Sequence, residues 1–152
     1  MALLWCLLAL GGCVVHQAPD IMYSEKIPIN DTAVFASFDR TLSTGGPQIE
    51  LVDGKKTSCA EVGCPRWVRV LPGKHVFYIR DSHFGGPGSF STFQTFTIEL
   101  EDMKPRHVYV PHYQQYGGRI SNWTVEDLGE NPDFGITIGR EGVNQKYYPV
   151  KF

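Results

Sequence analysis

Four cysteines carry the most distinctive chemistry of this 152-residue chain, and two of them, Cys59 and Cys64, lie five positions apart. A redox-active pair would have the spacing Cys-x-x-Cys, and a zinc knuckle needs four ligands at tighter spacing. In an exported protein the spacing of Cys59 and Cys64 favours one disulfide that closes a short loop. A metal-binding or redox pair is the alternative.

Five histidines raise the question of a metal site. His107 and His112 fall in one predicted strand, and their odd spacing places them on opposite faces. His75 lies in a predicted turn and His83 in the next loop, so the two meet only if those ends of the chain meet. No carboxylate stands at a fixed short offset to complete a ligand set. The sequence therefore predicts surface and strand-end histidines and no metal.

Composition and motifs exclude several classes of function. The 14 basic and 16 acidic side chains leave a net charge of −2, which provides no electrostatic footprint for nucleic acid. The chain has no Gly-x-Ser-x-Gly motif for a serine nucleophile. Glu99, Glu101 and Asp102 form an acidic cluster beside a predicted turn, where solvated charges are normal, whereas a glycosidase needs two carboxylates across a cleft. We predict no catalytic residue, no cofactor and no enzymatic activity.

Aromatic side chains are the remaining candidates for ligand contact. Tyr113, Tyr116 and Trp123 lie close together in the sequence. On an exposed sheet face, such rings stack on sugars or form a protein interface. In a small β-domain they more often belong to the core and its rim. The sequence leaves both interpretations open.

Period-two alternation of apolar residues dominates from residue 32 onward, and turn residues punctuate it; the whole chain has 16 glycines and 10 prolines. This pattern predicts an all-β fold, an antiparallel β-sandwich of about eight strands. The turn Pro72-Gly73-Lys74-His75 is expected to join two of these strands into a hairpin. The predicted strands cover residues 32–38, 48–52, 67–71, 76–80, 90–100, 107–113, 118–128 and 134–138.

The first twelve residues are uncharged and include an apolar run of eight, which spans only about 12 Å as a helix. A bilayer core is about 30 Å thick, so this run is typical of a signal peptide rather than of a membrane anchor. The sequence Leu10-Gly11-Gly12-Cys13 that follows resembles the lipobox of bacterial lipoproteins.

The lipobox resemblance implies cleavage before Cys13, with a thioether-linked diacylglycerol and an N-acyl chain on that residue. Because Val14 replaces the Asp that retains lipoproteins in the inner membrane, it also implies the periplasmic face of the outer membrane. Removal of Cys6 and lipidation of Cys13 would leave Cys59 and Cys64 to form the disulfide. The expected organisation is a signal peptide (1–12), a lipidated N-terminus and flexible tether (13–31) and the sandwich (32–152).

The stretch 66–127 resembles small bacterial β-sandwich lipoproteins of unknown function. Its matching pieces are the run from Val68 through the Pro72-Gly73-Lys74-His75 turn to Val76, the strand that ends at Leu100, His107-Val108-Tyr109, and Trp123. The same turn occurs in PEGA-like modules, which implies a transthyretin-like sandwich. We expect a non-enzymatic binding or assembly module with an envelope protein as partner. A carbohydrate-binding module for glycan or peptidoglycan is the alternative.

Overall fold

The computed structural model describes residues 17–24, 26–38, 46–59, 63–83, 92–117, 119–138 and 142–152. Over these ranges the protein is all-β, and its only helical element is a single 3₁₀ turn at Ile29–Asp31. The predicted all-β class is confirmed, and the strands form a sandwich-like stack of sheets, although two of the strand pairs are parallel rather than antiparallel. The strands are β1 (Asp20–Ile21), β2 (Ala33–Ala36), β3 (Gln48–Val52), β4 (Lys55–Lys56), β5 (Trp67–Val70), β6 (Gly73–His83), β7 (Thr92–Met103), β8 (His107–Tyr116), β9 (Arg119–Glu130), β10 (Gly135–Ile138) and β11 (Lys146–Pro149).

The strands form three layers. A five-stranded central sheet has the order β1-β5-β2-β8-β9, and a four-stranded sheet, here called the open sheet, has the order β4-β3-β6-β7. β10 and β11 form a two-stranded cover hairpin. The central sheet is mixed, because β1 runs parallel to β5 and β2 runs parallel to β8, whereas the open sheet is antiparallel.

The main core lies between the central and open sheets. Phe35 of β2 stacks on Phe77 of β6 with ring centroids 4.0 Å apart, and both side chains are fully buried. Fully burying a side chain of this kind contributes roughly 1.5–3 kcal/mol. This stack joins the middle of the two sheets. The buried residues of this core are Ala33, Phe35, Ile49, Val52, Val68, Val70, Phe77, Ile79, Ile98, Met103 and Tyr109.

A second core covers the other face of the central sheet. Val34 and Ala36 of β2 and Trp67 of β5 pack there against Phe134 and Ile136 of the cover hairpin. All four residues of β2 are therefore buried, which explains why this strand carries no polar alternation. The burial of both faces makes the central sheet the middle layer of the molecule.

Two polar contacts link the central sheet and the open sheet at the two edges of the sandwich. On one side, the Asp20 carboxylate of β1 accepts hydrogen bonds from the backbone N–H and the hydroxyl of Ser58, at 2.9 and 2.7 Å. On the other side, the Gln94 amide of β7 accepts a 3.0 Å hydrogen bond from the Ile120 N–H and donates to the Ile120 carbonyl. The second contact satisfies both backbone groups of an edge residue in β9.

The predicted hairpin at residues 72–75 is wrong. β5 lies in the central sheet and β6 in the open sheet, so the chain crosses between layers at this turn. Gly73 makes the crossing at φ +119°, a conformation that side chains rarely allow. Val68 and Val70 face the same core as Phe77 and Ile79. Their alternation is therefore the same whether the two strands face each other across two sheets or pair within one sheet.

Three short strands were not predicted, and the structure has eleven strands in its described residues rather than about eight. β1 lies within the segment 13–31 that we predicted to be a tether, and it pairs with β5. The Met22 N–H extends this contact with a 3.0 Å hydrogen bond to the Arg69 carbonyl. Strand pairing with the domain therefore begins at Asp20, and a flexible tether before that residue stays a prediction.

Candidate binding sites

The structure separates the three aromatic residues predicted to contact a ligand. Tyr113 and Trp123 are cross-strand partners in β8 and β9, and both pack against Phe96 of the open sheet. Trp123 stacks on Phe96 at 4.7 Å between centroids, and Tyr113 meets the same ring edge-on at 5.7 Å. Tyr116, at the end of β8, is 85% exposed. These rings therefore do not share one open face.

Tyr113 is held by polar contacts inside the sandwich. Its hydroxyl donates a 2.8 Å hydrogen bond to the Ser37 carbonyl. Burial of the phenol, with a smaller contribution from the negative charge of Asp81, raises the pKa of Tyr113 well above its usual value. Arg66 is 7% exposed, and burial lowers its pKa while Asp81 opposes that shift. Tyr113 is thus a partly buried structural residue packed against the core.

Of the predicted covalent sites, the described residues include only the cysteine pair. The Cys59 and Cys64 sulfur atoms lie 2.15 Å apart, at disulfide distance. The Cys64 N–H donates to the Gln48 side chain at 2.8 Å, and the Thr57 hydroxyl lies 3.3 Å from the Cys59 sulfur. The predicted lipidation site, Cys13, and the predicted signal peptide lie outside the described residues.

Three histidines have carboxylate partners that sequence spacing did not reveal. His75 lies 2.7 Å from Asp53, and His112 lies 2.7 Å from Glu126.

A third pair joins His107 of β8 to Asp127 of β9 at 2.8 Å. The β8–β9 register creates two of these pairs, and a known register is the signal that could have found them.

The histidines do not gather into a metal site in the described part of the chain. His75 and His83 lie eight residues apart along β6, which separates their backbones by about 26 Å. No group of three His, Cys, Asp or Glu side chains within the described ranges is arranged to hold a metal ion.

The N-terminal segment and the C-terminal segment border an open cavity of about 410 Å³, which we call the N-terminal cavity. One of the residues that line it is Arg69 of β5, which is only 5% exposed. Sequence reasoning missed this residue, because an Arg in an alternating strand is usually solvated. The cavity is lined by Gln17, Ala18, Pro19, Ile21, Ile29, Arg69, Tyr148, Pro149 and Lys151.

Neutral groups hold the Arg69 guanidinium in place. Nη1 donates to the Thr32 hydroxyl at 2.9 Å, and Nη2 donates to the Lys151 carbonyl at 2.6 Å. The guanidinium carbon also lies 5.0 Å from the centre of the Phe152 ring, a cation–π contact. Burial lowers the pKa of Arg69, and Tyr23 opposes that shift. An arginine stays charged in a protein, so this cavity has a cation in its wall.

No protein family, curated protein or solved structure matches this chain. In the described ranges, no helix is long and apolar enough to cross a membrane.

Proposed function

We propose that this protein is a non-enzymatic lipoprotein of a bacterial cell envelope, anchored through Cys13 to the periplasmic face of the outer membrane. Its sandwich would act as a binding or assembly module for an envelope protein. The Leu10-Gly11-Gly12-Cys13 sequence supports the anchor. Three acyl chains exceed the two signals that stable membrane attachment needs.

The attachment of the N-terminal segment to the domain is the observation that carries this proposal. β1 pairs with β5, and the Asp20 carboxylate binds Ser58, so the chain is held to the sandwich from Asp20 onward. Asp20 lies seven positions after Cys13, which allows a reach of about 25 Å at most. A lipid on Cys13 would therefore hold the sandwich close to the membrane and restrict its orientation, as an assembly module requires.

Exposed aromatic residues supply a surface for a partner. Phe93 lies on the outer face of the open sheet and is 65% exposed, with the Arg80 guanidinium 5.7 Å from its ring centre. Tyr116 is also exposed, at the end of β8. Aromatic residues and arginine are enriched at protein interfaces. Glycan stacking on Tyr113 and Trp123 is not favoured, because both rings pack against Phe96.

Site-specific photocrosslinking in intact cells tests the module. A photoreactive residue at Phe93 or at Tyr116 of the lipidated protein is expected to capture the same envelope protein reproducibly. Tyr147 of the cover hairpin, which is 48% exposed, provides the control position and should capture none of it. Capture at all three positions alike, or recovery of peptidoglycan or lipopolysaccharide alone, would contradict a protein-assembly role.

Membrane fractionation tests the anchor separately. The wild-type protein should sediment with envelope membranes and incorporate radiolabelled fatty acid, and a Cys13→Ser variant should incorporate none. A Cys13→Ser variant that is processed normally and incorporates as much fatty acid would refute the lipid anchor.

A further inference from the structure

The N-terminal cavity holds a buried positive charge that no described carboxylate neutralises. Arg69 is 5% exposed, and both of its side-chain acceptors, the Thr32 hydroxyl and the Lys151 carbonyl, are neutral. None of the ion pairs between described residues includes Arg69. Burying a charge without a counterion costs several kcal/mol, so proteins usually pair such a group. An anion in the cavity would complete this pairing.

The guanidinium retains donors for such an anion. Arginine has five N–H groups, and two of those in Arg69 are used in the hydrogen bonds to Thr32 and Lys151. The remaining three N–H groups are donors of the kind that bind phosphate and carboxylate oxygens. Lys151, which also lines the cavity, adds a second positive charge. None of the nine lining residues is acidic.

The rest of the lining is mainly apolar. Ile21 and Ile29 are 47% and 45% exposed, and they line the cavity together with two prolines and Tyr148. The volume of about 410 Å³ lies within the range of small-molecule sites. A cationic group surrounded by exposed aliphatic side chains suits a ligand that combines an anionic group with hydrocarbon.

We propose that the N-terminal cavity binds the phosphate head group of an anionic membrane lipid, with Arg69 and Lys151 on the phosphate and Ile21 and Ile29 against the first carbons of the acyl chains. This inference rests on the proposed function for its source of ligand, because a lipid on Cys13 keeps the cavity within about 25 Å of the bilayer. The N-terminal cavity would thus give the protein a second contact with the membrane, a non-covalent one.

Binding of the mature chain to vesicles tests this proposal without any dependence on lipidation. A Cys13→Ser chain that begins at residue 13 carries neither the lipid nor the apolar run of residues 1–12, and it is mixed with vesicles of phosphatidylcholine alone or with added phosphatidylglycerol. We expect binding to the phosphatidylglycerol vesicles and much weaker binding to phosphatidylcholine alone. In the same background, Lys151→Gln should weaken binding about fivefold, the usual effect of one basic residue at an anionic surface.

Lys104→Gln is the matched control, since it removes the same charge from the exposed turn between β7 and β8. Ile29→Glu introduces a negative charge into the cavity lining at an exposed position and should abolish binding without unfolding the domain. Arg69→Gln should also abolish binding, and circular dichroism of each variant establishes that it is folded. Equal losses in Lys151→Gln and Lys104→Gln would overturn the cavity proposal in favour of diffuse charge attraction.

Competition identifies the source of the anionic group. A short-chain, water-soluble phosphatidylglycerol should displace the vesicles and shift the backbone amide resonances of Ile21, Ile29 and Tyr148. Inorganic phosphate should do neither at the same concentration. Equal competition by inorganic phosphate would overturn the lipid assignment. Absence of vesicle binding, in a protein whose wild type still sediments with membranes, would overturn this inference and leave the proposed lipid anchor standing.

Discussion

Asp20 of the central sheet binds Ser58, which follows β4 of the open sheet, at the edge where the chain enters the domain. The Asp20 carboxylate accepts both the N–H and the hydroxyl of Ser58, one oxygen to each donor. Ser58 directly precedes Cys59, whose sulfur lies at disulfide distance from that of Cys64. The cysteine pair therefore restrains the backbone that holds the N-terminal segment in place.

Removing the Asp20 carboxylate should loosen β1 without unfolding the domain. Asp20→Ala deletes both hydrogen bonds from Ser58, and hydrogen bonds to charged groups contribute about 1.5–3 kcal/mol, less at an exposed site. We expect faster hydrogen exchange at the Met22 amide, which is bonded to the Arg69 carbonyl. Exchange in β6 should not change. Asp31→Ala is the control, and equal exchange at Met22 in both variants would contradict a role for the Asp20–Ser58 contact.

Gln94 should be required for stability at the opposite edge of the sandwich, where β7 meets β9. Gln94→Ala leaves the Ile120 N–H and carbonyl without their side-chain partner, at a cost of about 1–3 kcal/mol in the free energy of unfolding. Gln94→Glu keeps an acceptor for the N–H but places a carboxylate against the carbonyl, so it should not restore stability. Denaturant unfolding measures both variants. Gln114→Ala, at an exposed position in β8, should have little effect, and a loss equal to that of Gln94→Ala would argue against the edge contact.

The buried phenol of Tyr113 should make the fold sensitive to alkali. Because its folded-state pKa lies above that of the unfolded chain, its contribution to stability is complete below pH about 10 and is lost as the pH rises further. Absorbance of ionised tyrosine, followed together with circular dichroism, should show a late step in which Tyr113 and Tyr109 ionise only as the domain unfolds, because burial raises the pKa of both. Tyr113→Phe should reduce the amplitude of that late step by one phenol, whereas Tyr116→Phe should leave it unchanged. An unchanged amplitude in Tyr113→Phe would refute the assignment.

Asp127 should contribute to unfolding in acid. Burial raises its pKa, but the Gly129 N–H and the His107 ring outweigh that effect, so the pKa of Asp127 is lowered overall. Its contribution to stability is therefore present above the unfolded value of about 3.9 and is lost as the pH falls through and below it. Asp127→Asn should flatten the dependence of the free energy of unfolding on pH below about 4. Asp133→Asn is the control, and an unchanged slope in Asp127→Asn would contradict this prediction.

The alternation of apolar residues predicted most strands but not their partners. Val68 and Val70 point into the same core as Phe77 and Ile79, and alternation is identical whether such strands pair in one sheet or face each other across two. β1 has only two residues, too few to show a period. Burial of both faces of β2 depends on the cover hairpin, more than ninety residues later in the chain, and no local pattern reveals it.

Some residues of the candidate sites were predictable from the sequence and others were not, because their roles depend on distant parts of the chain. Cys59 and Cys64 were predictable because their short separation allows one local bond. Arg69 was not, because its neighbours in β5 form an ordinary strand pattern and its burial depends on the distant residues Lys151 and Phe152. Tyr113 could be noticed as an aromatic residue, but its hydrogen bond to Ser37 follows only from the assembled sheets.

Intact-mass spectrometry of the full-length protein, purified from envelope membranes without reductant, tests the central claim most directly. The account predicts a chain that begins at Cys13, carries a diacylglyceryl group and an N-acyl chain, and lacks the two hydrogens removed by a Cys59–Cys64 disulfide. Peptide fragmentation should place all of the lipid on Cys13. A mature chain with an unmodified N-terminus, or one that still begins at Met1, would contradict the proposal that this protein is a lipoprotein.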